Sequence, residues 1–116
     1  FVEPADTARL TRVANGVNAH LRRNVDWIRL PVPRDRYDPE YFKPLVELAC
    51  PGDCEVHLGL VHMTDGAAGT ERRIAIAREV LPFEFGVATE CGFGRRPPGT
   101  VPELLRLHAA VADPWE

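Results

Sequence analysis

The chain is poor in several residue types that would announce a function. It has three cysteines, one methionine and two tryptophans among 116 residues. Three is an odd number and the spacing is irregular, which argues against a secreted disulfide framework and for a reducing cytosol. No apolar run approaches the roughly 18 residues of a membrane-spanning helix. The opening residues, Phe1 to Asp6, lack the basic region followed by an apolar stretch that marks a signal peptide. There is no block of lysine and arginine, and the net charge is −3, so nothing favours a nucleic-acid partner. Low-complexity stretches, linkers and internal repeats are missing too. These absences point to one soluble, cytoplasmic domain over residues 1–116, with no second domain and no membrane contact. The first residue is Phe1 and not methionine, which raises the expectation of a missing upstream portion.

What is present is a regular alternation of helical and extended patterns. The eleven prolines mostly punctuate element ends, as Pro31, Pro33, Pro51, Pro97 and Pro98 do. Residues 7–23 read as a helix with Asp6 or Thr7 as N-cap, because Leu10, Val13, Ala14, Val17 and Leu21 recur at helical spacing. Residues 25–32 read as a strand. Residues 38–49 read as a helix with Pro39 in its first turn, or one that starts at Pro44. A second strand is expected over 55–62, and a helix over 67–81 with Ile74, Ala75, Ala77, Arg78 and Leu81 as its stripe. A third strand is expected over 85–89. The last helix spans 100–112, with Thr100 as N-cap and Glu103 in the capping-box position. Strands separated by helices imply parallel pairing with right-handed crossovers, hence an α/β fold. Three strands fall short of a complete (βα)8 barrel, which needs roughly 200 to 250 residues. The chain would supply the last part of one, or form a small open sheet, or pair with another chain that completes the barrel.

In such a sheet the C-terminal strand ends deliver three loops to one rim, where α/β folds build their sites. The loops carry Arg34, Asp35 and Arg36, then His62 and Asp65, then Glu90, Cys91, Arg95 and Arg96. Cys91 has three readings: a zinc ligand, a nucleophile whose thiol is made acidic by nearby arginines, or a packing residue. His62 is a candidate ligand or general base, or a hydrogen-bonded structural residue. Asp65 either handles protons or turns the chain into the next helix. Arg34, Arg36, Arg95 and Arg96 suit a bidentate clamp on an anionic substrate, or pair with neighbouring carboxylates. Cys50-Pro51-Gly52-Asp53-Cys54, with His57 nearby, offers a lone short cysteine pair on the far side of the sheet. It reads as a turn rather than a metal knuckle.

Two stretches carry a resemblance. Residues 58–66, Leu-Gly-Leu-Val-His-Met-Thr-Asp-Gly, and residues 85–95, Phe-Gly-Val-Ala-Thr-Glu-Cys-Gly-Phe-Gly-Arg, resemble the last two β/α units of cobalamin-independent methionine synthase. They resemble more closely an uncharacterised bacterial branch grouped with that enzyme and with uroporphyrinogen decarboxylase. Residues 26–36 and 2–6 are similar to that branch as well. The resemblance spans the whole chain but only about the C-terminal third of a family member. It implies a (βα)8 barrel in which zinc holds a thiol substrate as a thiolate that attacks a methyl group. Cys91 matches the family's last zinc ligand, and the other ligands would lie upstream. Where the synthases have Asp-Cys-Gly, this chain has Glu90-Cys91-Gly92.

The expected activity is therefore zinc-assisted alkyl transfer to a thiol. Asp35, His62, Asp65 and Glu90 are the catalytic candidates, the four arginines the substrate-binding ones, and Cys91 the metal ligand. A metal-free decarboxylase or lyase of the same superfamily is the alternative, and a non-catalytic subunit needing a complementary chain or self-association is the third reading.

Overall fold

The structure, a computed structural model, describes residues 4–50, 53–89 and 93–112. Seven elements follow one another: α1 (Ala8–His20), β1 (Trp27–Pro31), α2 (Pro39–Phe42), β2 (Glu55–Val61), α3 (Gly66–Val80), β3 (Gly86–Thr89) and α4 (Val101–Val111). Each has a local cause. The Asp6 carboxylate accepts the Ala8 amide before α1. Asp38 caps α2 by accepting the Tyr41 amide, and Pro39 follows in the first turn. Pro44 brings no amide hydrogen to the next turn, and α2 gives way to a 3-10 helix over Lys43–Glu47. The single long helix expected over 38–49 is thus two short pieces.

The three strands are parallel and lie in sequence order, β1-β2-β3. Side chains alternate across a strand, so Ile28, Leu30, Val56, Leu58, Leu60 and Val87 share one face. That face meets Tyr41, Phe42, Leu45, Ile74, Ala77 and Leu81 in one core, with Leu10 of α1 and Val111 of α4 against it. All four helices therefore stack on the same side of the sheet. The opposite face carries Trp27, Arg29, His57 and Ala88 around an open depression of about 310 Å³. Arg29 spans that face and donates to the carbonyl of Thr89. The His57 ring occupies the space where a β-carbon on Gly86 would stand, 2.5 Å from its Nδ1. Between β2 and β3 the pairing runs Leu58 to Val87 and then Val61 to Thr89. Three steps on β2 answer two on β3, which is a bulge.

Two expectations are corrected. Thr100 does not cap α4: its backbone is already helical, and its hydroxyl turns back to the carbonyl of Pro97 at 2.8 Å. No capping box with Glu103 results. The buried face of α3 is Gly69, Thr70, Arg73, Ile74 and Ala77, whereas Arg78 is exposed.

Cys50 and Cys54 are joined by a disulfide. The odd cysteine count does not preclude a local bridge between residues four apart in sequence. Just ahead of it, Asn15 of α1 clasps the backbone: its side chain donates to the carbonyl of Glu47 at 2.9 Å and accepts the amide of Ala49 at 2.6 Å. Asn18 donates to the carbonyl of Ala49 at 2.7 Å. Replacing Asn15 with Ala removes two bonds and should lower the unfolding free energy by about 1–2 kcal/mol. Urea denaturation checks this, and an unchanged midpoint would dismiss the clasp as a stabilising contact.

Candidate functional site: the rim at the strand ends

The loops after β1 and β2 meet at the C-terminal ends of the strands, and a buried arginine joins them. Arg73 projects from α3 with no solvent exposure. Its Nε donates to the carbonyl of Leu60 in β2 at 2.9 Å. Its Nη1 donates to the carbonyl of Arg34, beyond β1, at 2.7 Å. Both terminal nitrogens grip Asp65, at 2.6 and 2.9 Å. Tyr37 completes the set: its hydroxyl donates to Asp65 at 2.5 Å and accepts from Arg73 at 3.0 Å. Arg72 lies over the Tyr37 ring at 4.3 Å, a cation–π contact.

Gly69 makes this arrangement sterically possible. A β-carbon there would fall 2.1 Å from a carboxylate oxygen of Asp65. The glycine leaves room for Asp65 to fold back along α3 toward Arg73.

The electrostatic outcome follows from the contacts. Hydrogen bonding from Arg73 holds the Asp65 carboxyl down at about 2, against the pull of partial burial in the other direction. The bond to Asp65 raises the Tyr37 phenol above its ordinary value. A carboxylate held this far below neutrality remains ionised and makes a poor proton donor at physiological pH. Asp65 therefore serves as an anchor for the two loops.

The other candidates fall into distinct environments. His62, directly after β2, is 2% exposed, and its Nε2 stands 2.8 Å from the carbonyl of Val32. Arg36 makes a two-pronged pair with Asp38, both contacts at 2.9 Å, and lies 4.8 Å over the Tyr41 ring. Hydrogen bonding from Arg36 lowers the Asp38 pKa. Arg34 is exposed and touches the Thr64 hydroxyl at 3.2 Å. Asp35 is exposed beside it. Arg95 is exposed in a short 3-10 turn over Phe93–Arg95. Arg96 is half-buried and reaches the sulfur of Met63 at 3.4 Å. Arg34 and Arg96 thus both contact the loop after β2. Glu90 and Cys91 lie outside the described residues.

Among the described residues, no three His, Cys, Asp or Glu side chains stand together as a metal-binding group. Nor is any described helix long and apolar enough to cross a membrane. No family model matches the chain, and no curated protein or solved structure matches it either.

Arg73 and Tyr37 are the rim residues that sequence reasoning missed. The available signal was the four-residue spacing Asp65, Gly69, Arg73, Ala77 on one helical face. The depressed Asp65 pKa has a consequence with a definite sign. An ionised, bonded Asp65 contributes roughly 2 kcal/mol above about pH 4, and that contribution is lost as the pH falls toward about 2. Asp65→Asn should remove this part of the acid dependence of stability, read by thermal unfolding across that window. An acid limb unchanged in the variant would dismiss the pairing as a source of stability.

Proposed function

We propose that this chain is the C-terminal part of a (βα)8 barrel enzyme resembling cobalamin-independent methionine synthase, and that the barrel transfers an alkyl group to a thiol at its rim. The observation that carries the reading is the winding of the sheet. Three parallel strands lie in sequence order and all helices stack on one face. A doubly wound sheet would place helices on both faces. A segment wound in one sense, with both edge strands open among the described residues, suits a closed ring of such units.

The residues take roles from their surroundings. Arg34 and Arg95, both exposed, are positioned to hold an anionic substrate. Arg96 stiffens the junction with the loop after β2. Arg36 is engaged by Asp38 and shapes its own loop. Arg73 and Asp65 hold the first two loops in register, so that Arg34 is presented from a fixed backbone.

Zinc belongs to this reading through Cys91, where the resemblance puts a ligand. The described residues do not supply a second one: the His62 Nε2 faces a carbonyl, and Asp65 is saturated by Arg73 and Tyr37. The remaining ligands would come from the preceding part of the barrel. Bound zinc would keep a thiol ionised at neutral pH. Cys91→Ser in the full-length protein is expected to lower its zinc content, measured by elemental analysis, and unchanged stoichiometric zinc would remove the ligand assignment. The arginines also support a metal-free decarboxylase or lyase that holds substrate carboxylates. Full activity in the presence of a strong chelator selects that reading.

A cytoplasmic setting is part of the same proposal. Disulfides are rare there, so in that setting the Cys50–Cys54 bridge of the structure should be found reduced to two thiols. Rapid alkylation on lysis followed by mass spectrometry checks this. An intact bridge would place the protein in an oxidising compartment.

A further inference from the structure

The Cys50–Cys54 bridge sits at the end of the sheet opposite the rim. Cys54 directly precedes β2, whereas His62 and Asp65 follow the last residue of that strand, about 20 Å away. The backbone on both sides of the pair is held without the bridge. Before Cys50, Ala49 is gripped twice from α1: its amide donates to Asn15 at 2.6 Å, and its carbonyl accepts from Asn18 at 2.7 Å. After Cys54, the amide of Glu55 donates to the carbonyl of Asp26 at 2.9 Å, and Glu55 takes its place beside Trp27 in the sheet.

A bridge between residues four apart closes a short segment and takes little freedom from the unfolded chain. The fold therefore rests on the anchors more than on the bridge, and the two thiols of the reduced form stay on the same framework. The Cα atoms lie 5.5 Å apart, within the range from which a bridge forms without backbone movement. Two thiols held at that spacing present each other with a high effective concentration.

The two sulfurs differ in their surroundings. Cys50 packs against the hydrophobic core. Cys54 stands outside that cluster and is only partly buried. Exchange depends on access to the attacking thiol. Cys54 is therefore the residue that meets a small disulfide first, and Cys50 the one that resolves the adduct.

We propose that Cys50 and Cys54 form a reversible dithiol–disulfide site that closes by exchange with a low-molecular-weight disulfide of the glutathione class. The Cys54 thiolate attacks one sulfur of glutathione disulfide. That S–S bond breaks, a mixed disulfide forms on Cys54, and one glutathione leaves as its thiolate. The Cys50 thiolate then attacks the Cys54 sulfur, the bridge forms, and the second glutathione leaves. Two cysteine thiols are oxidised, one glutathione disulfide is reduced, and the two cysteine protons pass through water to the departing thiolates. Excess glutathione runs the same steps backward. The pair stands as two thiols at the resting poise of a reducing compartment and closes when glutathione disulfide accumulates. The site needs neither zinc nor the rim, and so goes beyond the alkyl-transfer reading.

The test equilibrates the full-length protein in buffers of varied glutathione to glutathione disulfide ratio. Differential alkylation and mass spectrometry then read the state of Cys50 and Cys54. The bridged fraction should follow the ratio progressively and reach the same value from the reduced and from the oxidised protein. Circular dichroism should be the same for both forms. Cys50→Ser should accumulate a glutathione adduct on Cys54, and Cys54→Ser should take one up on Cys50 at least about tenfold more slowly. Asn15→Ala loosens the grip on Ala49 and should lower the equilibrium constant for closure by about threefold to tenfold. Asn18→Ala, which removes one bond, should shift it in the same direction. A bridge that survives excess glutathione until the protein is denatured overturns the proposal, and so does a reduced form that loses the native circular dichroism. Two glutathione adducts without a bridge, equal adduct rates in the two serine variants, or closure indifferent to both asparagine variants also overturn it. Zinc content enters none of these readouts, so this proposal and the enzyme reading fail separately.

Discussion

The guanidinium of Arg73 is the contact on which the arrangement of the rim depends. It is fully buried, and a buried charge is tolerable only when its donors and its countercharge are both supplied. Here a carbonyl at the end of β2, a carbonyl beyond β1, a carboxylate and a phenol supply them. The group therefore ties a helix, a strand end and two loops at one point. Removing any partner leaves a desolvated charge, so the contacts to the Arg34 carbonyl and to Asp65 stand or fall together. Gly69 belongs to the same device, because an ordinary side chain there would occupy the space of the carboxylate.

The sheet poses a complementary demand. Parallel strands are usually covered on both faces, yet here the helices cover one. The other face presents Trp27, Arg29, His57 and Ala88, and both edge strands have open sides among the described residues. Trp27 lies at the meeting of the open face and an apolar slot between α1 and β1. One exposed indole thus borders two open surfaces among the described residues.

Much of this was legible in the residues. Apolar periodicity and proline placement gave the order of elements and the parallel pairing, because both are local properties. The convergence of the loops at the strand ends followed from topology, and the contacts of Arg34 and Arg96 with the loop after β2 agree with it. The failures share a cause. Arg78 was read into the buried stripe of α3 on spacing, when the helix actually buries Arg73, since only Arg73 finds the carbonyls and carboxylate that allow it. Thr100 has the composition of a cap, but its hydroxyl finds a closer carbonyl at Pro97. Arg36 meets Asp38 two residues away in matched geometry, the carboxylate pairing that its sequence leaves open beside a clamp. Cysteine parity says nothing about a bridge between residues four apart in sequence. Each outcome was settled by a partner in space that the linear pattern does not display.

The bulge between β2 and β3 sets a further constraint, one of counting. Side chains along a strand alternate with a period of two, so one extra residue changes which face every later residue occupies. The three steps from Leu58 to Val61 against two from Val87 to Thr89 act on the sheet as a shift of reading frame. A one-residue deletion in that span would put the carbonyl that Leu60 offers to Arg73 out of step with α3, without altering the arginine itself. The length of β2 is thus as much a part of the rim as any side chain in it.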